Sequence, residues 1–222
     1  IQKRVMESDS RNYSEPMVSS TEDYAVFHIP GKINLPKNSL SQHIFITEKE
    51  VPLQRKYHIE HSINRYFGHR SKKNSIPISV TSTIEFNSSE IGDFNLPGGL
   101  FRAYEFNEDR HTFIGENNIP LIQTGEMVSV EIGKTADITA RFTLVSTEID
   151  RKTTKHVLNA VLKNVRDYSV TVLWNETFNG DWKIINSTFD FQKLDSQTAQ
   201  FLVEIPAHKE KEINFTVRID RK

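Results

Sequence analysis

Histidine is the most available acid–base and metal-ligating type in this chain, with eight copies and no cysteine. The densest cluster is His58-Ile59-Glu60-His61, followed by His69. Zinc takes three or four N, O or S ligands, usually with two of them close in sequence. Three residues apart, His58 and His61 share a face on a helix and diverge on a strand. The zincin spacing His-Glu-x-x-His is absent, so exposed histidines are the simpler reading. No metal and no cofactor are expected. Without cysteine, a disulfide framework, a thiolate zinc site and a cysteine nucleophile are excluded. Carboxylates such as Glu105, Glu116 and Asp181 are plentiful, but a glycosidase needs two of them ~5 or ~6.5–9.5 Å apart, which linear spacing does not define. Neither Gly-x-x-x-x-Gly-Lys nor Gly-x-Ser-x-Gly occurs. No catalytic residue is assigned.

A second constellation overlaps the first. Between Arg55 and Lys73, six cations (Arg55, Lys56, Arg65, Arg70, Lys72, Lys73) stand against Glu60 alone, a local charge of +5. Tyr57, Tyr66 and Phe67 interleave with them. Cations and stacking rings together hold polyanions, so the expected binding residues are Arg55, Lys56, Tyr57, Arg65, Tyr66, Arg70, Lys72 and Lys73. Anionic glycan, lipid headgroups or nucleic acid meet that electrostatic demand. The plainer alternative is a solvated loop whose Lys and Arg stems lie along apolar surface. Trp174 and Trp182 flank Asn179-Gly180 and read either as a sugar-stacking platform or as core aromatics.

The elements that position these residues read as strands. The 222 residues carry 28 Lys plus Arg against 29 Asp plus Glu, which rules out a strongly basic polyanion binder overall but not a local patch. Fourteen Phe and 36% hydrophobic residues suit a folded chain. Apolar residues alternate with period two through Ile78–Phe86, Val128–Ile132, Ala136–Leu144, Tyr168–Trp174, Phe201–Ile205 and Ile213–Ile219, the pattern of strands with one dry and one wet face. Leu158–Leu162 continues it, although that run alone also fits a short helix. Leu53–Phe67 is open as well: Leu53, Tyr57, His61 and Ile63 share a helical face, whereas Arg55–Glu60 fits a strand. Asn179-Gly180 is the strongest hairpin signal, and Glu148–His156 reads as a polar loop or charged hairpin tip. The expected fold is all-β, of antiparallel sheets.

Three parts are expected: a polar lead-in over 1–22, a β-rich part over 23–98, and an immunoglobulin-like sandwich over 99–222. The boundary near Leu96–Gly99 is open, since Ile78–Phe86 has the pattern to pair into the later part. No run reaches the ~18 apolar residues of a membrane-spanning helix. The chain begins at Ile1 and lacks the apolar stretch of a signal peptide near it, as expected of a fragment or processed product. Five Asn-x-Ser/Thr sites (Asn12, Asn87, Asn175, Asn186, Asn214) exceed the ~2.6 that composition gives by chance.

One segment has a familiar order. Leu96-Pro97-Gly98-Gly99 leads into Phe101-Arg102-Ala103-Tyr104, then Phe113-Ile114-Gly115-Glu116, Gly125-Glu126, and Val130-Glu131-Ile132-Gly133 before Asp137. This order resembles the C-terminal domain of unknown function in bacterial mucoidy-inhibitor-like proteins and their uncharacterised relatives. Val165–Trp174, Asp181-Trp182 and Phe215–Ile219 extend the likeness. The resemblance implies a β-rich, exported bacterial protein, periplasmic or extracellular, and hands over no catalytic residue. The expected role is a non-catalytic binding or scaffold module at the cell envelope. The alternatives are a hydrolase of envelope polymers using His58, His61 and a carboxylate, and an edge-strand module that pairs with a partner protein.

Overall fold

The computed structural model describes residues 17–21, 24–28, 33–34, 36–38, 40, 42–46, 48–63, 75–107 and 110–220. In chain order the strands are β1 (Met17–Thr21), β2 (Tyr24–His28), β3 (Gln54–Ser62), β4 (Ile76–Ile78), β5 (Thr81–Asn87), β6 (Gly99–Asn107), β7 (Arg110–Ile119) and β8 (Met127–Lys134). They continue as β9 (Ile138–Ile149), β10 (Thr153–Asn164), β11 (Val170–Thr177), β12 (Asp181–Ser187), β13 (Phe191–Lys193), β14 (Thr198–Ile205) and β15 (Glu210–Asp220). The fold is all-β, and the open segment Leu53–Phe67 resolves as a strand over Gln54–Ser62. Leu158–Leu162 likewise lies within β10.

The chain divides into two units, and the larger draws on Leu53–Glu85, Leu100–Asn117 and Ser129–Lys222. Its strands form a five-stranded sheet, β12-β15-β10-β9-β4, and a six-stranded sheet, β13-β14-β11-β3-β5-β8. Pairing is antiparallel in the registers defined for both sheets except between β3 and β11, which run parallel with Tyr57 opposite Val172 and His61 opposite Glu176. Side chains from the two sheets meet in one core. Phe142 of β9 lies 6.4 Å from Trp174 of β11, and Phe201 of β14 lies 5.1 Å from Phe215 of β15. The alternation anticipated from sequence is what fills it: Leu158, Ala160 and Leu162 on β10 and Ile213, Phe215 and Val217 on β15 are all buried. Each large side chain so buried contributes roughly 1.5–3 kcal/mol.

Three arrangements depart from the expectations. Leu53–Glu85 belongs with the later strands and not with a separate 23–98 part, because Tyr57, Ile59 and Ile63 face the same core as Trp174. Ile78–Phe86 is two strands: β4 pairs with β9 in one sheet, β5 with β3 in the other, and Val80 is buried in the core beside the crossing. Asn179-Gly180 is a tight turn, with Gly180 at φ 85°, but not a hairpin. β11 before it pairs with β14 and β3, whereas β12 after it pairs with β15. Phe178, fully buried just ahead of the turn, carries the chain across the core from one sheet to the other. By contrast, Glu148–His156 is a hairpin tip, closed by Asp150 N–H donating to the Thr153 carbonyl at 2.9 Å.

Both edges of the five-stranded sheet are blunted. Edge strand β4 carries Pro77, and edge strand β12 has an irregularity between Ile184 and Asn186. Both devices discourage strand addition by another chain. β6 and β7 form a two-stranded ribbon with Tyr104 against Phe113 at 5.6 Å and Phe106 against His111 at 4.9 Å, all four exposed.

The smaller unit draws on described residues within Ile1–Pro52, Phe86–Gly99 and Asn118–Val128. It contains the β1–β2 hairpin and the Leu96–Ile122 bridge. Phe45 stacks edge-on against both Phe27 (5.5 Å) and Phe94 (6.2 Å). Residues 17–21 of the polar lead-in form β1.

Candidate functional site

A half-open cavity of about 430 Å³ lies in the larger unit, where β3 and β11 begin side by side. Arg55, Lys56 and Tyr57 of β3 line it, together with Tyr168 and Ser169 from the β10–β11 connection. Val170, Thr171 and Leu173 of β11 and Leu202 of β14 complete the wall. Three of the expected binding residues therefore come together here. The other five, Arg65, Tyr66, Arg70, Lys72 and Lys73, lie outside the described residues. Tyr57 differs from the expectation of an open stacking ring: alternation puts it on the core side of β3, and it is only 3% exposed.

The connection that shapes the cavity is tied down by Asn164, a fully buried amide. Its NH2 donates to the carbonyls of Tyr168, Ile205 and Pro206 at 2.8, 3.1 and 3.2 Å, and its oxygen accepts the Arg166 N–H at 2.9 Å. An amide fits because it offers donors and an acceptor at one point. Arg166 then sits with its guanidinium 5.5 Å from the ring centres of both Tyr57 and Tyr168. It donates to the Tyr168 hydroxyl and pairs with Asp137 at 3.0 Å.

Electrostatics follow from this packing. Burial pushes the Tyr57 hydroxyl up to about 12, with Tyr168 adding to the shift and Arg166 opposing it. The Tyr57 oxygen is buried without a formed hydrogen bond among the described residues. For Tyr168 burial works upward, yet Tyr57, Arg166 and Arg55 together bring its hydroxyl below the ordinary tyrosine value. Burial also works against the Arg166 charge and is more than offset by Tyr168, Tyr57 and Asp137. Lys56 is paired with Glu85. Among the described residues Arg55 has no ion pair.

Of the histidine cluster, His58 and His61 do not converge, and His69 lies outside the described residues. β3 sends His58 to the wet face and His61 to the core, as strand geometry requires. His61 Nδ1 lies 2.5 Å from Glu176 Oε2, and both groups are buried. The same carboxylate accepts the Ile63 N–H at 2.8 Å and the Trp174 Nε1–H at 3.1 Å. This knot joins β3 to β11 inside the core, where a substrate has no access. Among the described residues no group of three His, Asp or Glu is placed to hold a metal ion. Trp174 and Trp182 are core residues, 1% and 5% exposed, and not a sugar platform.

Sequence reasoning missed Arg166 and Tyr168. The available signal was a cation and a ring two residues apart in the short polar stretch between two strands. No family model matches the chain, and no curated protein is similar to it.

Proposed function

We propose that this protein is a non-catalytic binding module of the bacterial cell envelope that holds an anionic ligand at the Arg55–Tyr168 cavity. The observation that carries the reading is that Arg55, a guanidinium without an ion pair among the described residues, lines a cavity of about 430 Å³ together with Tyr168, Ser169 and Thr171. That size falls within the range of small-molecule sites, ~300–1,000 Å³. The cations Arg65, Arg70, Lys72 and Lys73, which follow β3 in sequence, add attraction for the same sign of charge. The envelope location rests on the order of motifs from Leu96 to Asp137, which resembles the mucoidy-inhibitor-like C-terminal domain, whereas the immunoglobulin-like character of the sandwich rests on the regular spacing of strands over 99–222.

The test is binding of polygalacturonate and of phosphatidylglycerol vesicles as salt is raised. Affinity should fall steeply with ionic strength. Arg55→Glu should remove most of it, and combined reversal of Arg65, Arg70 and Lys72 should abolish the remainder. Binding that ignores both salt and these reversals would end the proposal.

A further inference from the structure

The outer face of the six-stranded sheet bears on what kind of anion the cavity suits. Register aligns its outward residues into rows across β3, β11 and β14. One row is Glu60, Asn175 and Gln200, closed on itself by hydrogen bonds of 2.6 and 2.9 Å. The next row is His58, Leu173 and Leu202, with Leu173 directly opposite Leu202. On a wet face flanked by polar rows, this apolar pair packs against nothing in the core, and Leu202 is 63% exposed. Leu173 and Leu202 are also lining residues of the cavity, which extends from them to Arg55, Lys56 and Tyr168.

The cavity thus has an apolar end and a charged end, and among the described residues the charged end offers one cation without an ion pair, Arg55. Lys56 is neutralised by Glu85, and Arg166 is committed to Asp137 and the Tyr168 oxygen. The Tyr168 oxygen accepts from Arg166, and Tyr168 lines the cavity beside Arg55. A sugar polymer would bring several hydroxyls per residue to the Leu173–Leu202 wall, where each would lose water without gaining a partner.

We infer, on the basis of the binding reading above, that the cavity takes an amphiphilic anion, its apolar chain along Leu173 and Leu202 and its carboxylate or phosphate at Arg55 and Tyr168. The ligand is a fatty carboxylate or an alkyl phosphate, free or presented by a lipid.

Calorimetric titration of the whole chain with octanoate, octyl phosphate, hexyl phosphate, inorganic phosphate, octyl glucoside and polygalacturonate tests this. One site per chain is expected for octyl phosphate or octanoate. Octyl phosphate should bind about tenfold more tightly than hexyl phosphate, since each buried methylene contributes ~0.8 kcal/mol. Octyl glucoside and inorganic phosphate should each bind at least tenfold more weakly. Arg55→Gln should cost at least tenfold, and Leu202→Ser several-fold, with Trp174 fluorescence unchanged as the check on folding. Phosphatidylglycerol vesicles separate the sources: binding that octyl phosphate competes away assigns the anion to a lipid, and its absence assigns it to a free amphiphile. If polygalacturonate binds and chain length has no effect, the amphiphile is wrong while the anionic-ligand reading stands. If no probe binds, both fall.

Discussion

Two tyrosines in one small space are driven in opposite directions, and that contrast is measurable. Tyr57 holds its proton until about pH 12, chiefly because burial disfavours the phenolate. Between the unfolded value near 10 and that point, the native chain retains a proton that the unfolded chain has released. Its stabilising contribution is therefore complete below about pH 10 and is lost as pH climbs toward 12. Tyr168 is lowered, so its contribution is present above the unfolded value and disappears as pH falls through the folded one. Absorbance titration near 295 nm should show one early and one late tyrosine, removed by Tyr168→Phe and Tyr57→Phe respectively. Urea unfolding at about pH 8 and 11 should show Tyr57→Phe losing less stability than the parent over that interval. Two tyrosines with coincident midpoints would contradict the packing around Arg166. The partners of these rings are distant in sequence. No local spacing around Tyr57 hints at a contact with Arg166, because only the parallel β3–β11 pair brings the two together.

At the scale of the element, the β6–β7 ribbon depends on one backbone approach. A Cβ on Gly115 would sit 1.8 Å from the Ile132 carbonyl oxygen of β8, so this position accepts no side chain while β7 keeps its place. Asn117 adds a donor to the Glu131 carbonyl at 3.2 Å beside it. Gly115→Ala should therefore displace β7 from β8 at a cost of about 1–3 kcal/mol. Hydrogen exchange should quicken in both strands and leave β10 and β15 unchanged; unaltered protection in β7 would mean that the approach is not constraining. Sequence marked Gly115 only as a turn glycine. The strands themselves were legible because their apolar residues alternate, whereas the crowding at Gly115 comes from Ile132 on another strand and leaves no local trace.

For the whole molecule, the order of pairing sets the folding time. The parallel β3–β11 seam joins residues 115 apart, and the buried Glu176–His61 contact spans the same gap. Closing such a loop costs entropy before any contact repays it, which makes sheets of this kind slow to form. Refolding followed by the fluorescence of Trp174 and Trp182 should take milliseconds to seconds or longer. Completion within microseconds would show that local contacts suffice.

Taken alone, the amino-acid order determined the all-β class, most strand positions and which side of each strand is dry, because period-two alternation records burial directly. It also singled out Arg55, Lys56 and Tyr57, which line one cavity. Only the tertiary structure decided that Asn179-Gly180 leads between sheets, that Ile78–Phe86 serves both sheets, and that Tyr168, held by Arg166, lines the cavity. The reason is that backbone hydrogen bonds are the same for every side chain. Alternation therefore says that a strand has a dry face, but the choice of neighbour is made by how Phe178, Trp174, Glu176 and Asn164 fill and satisfy the interior.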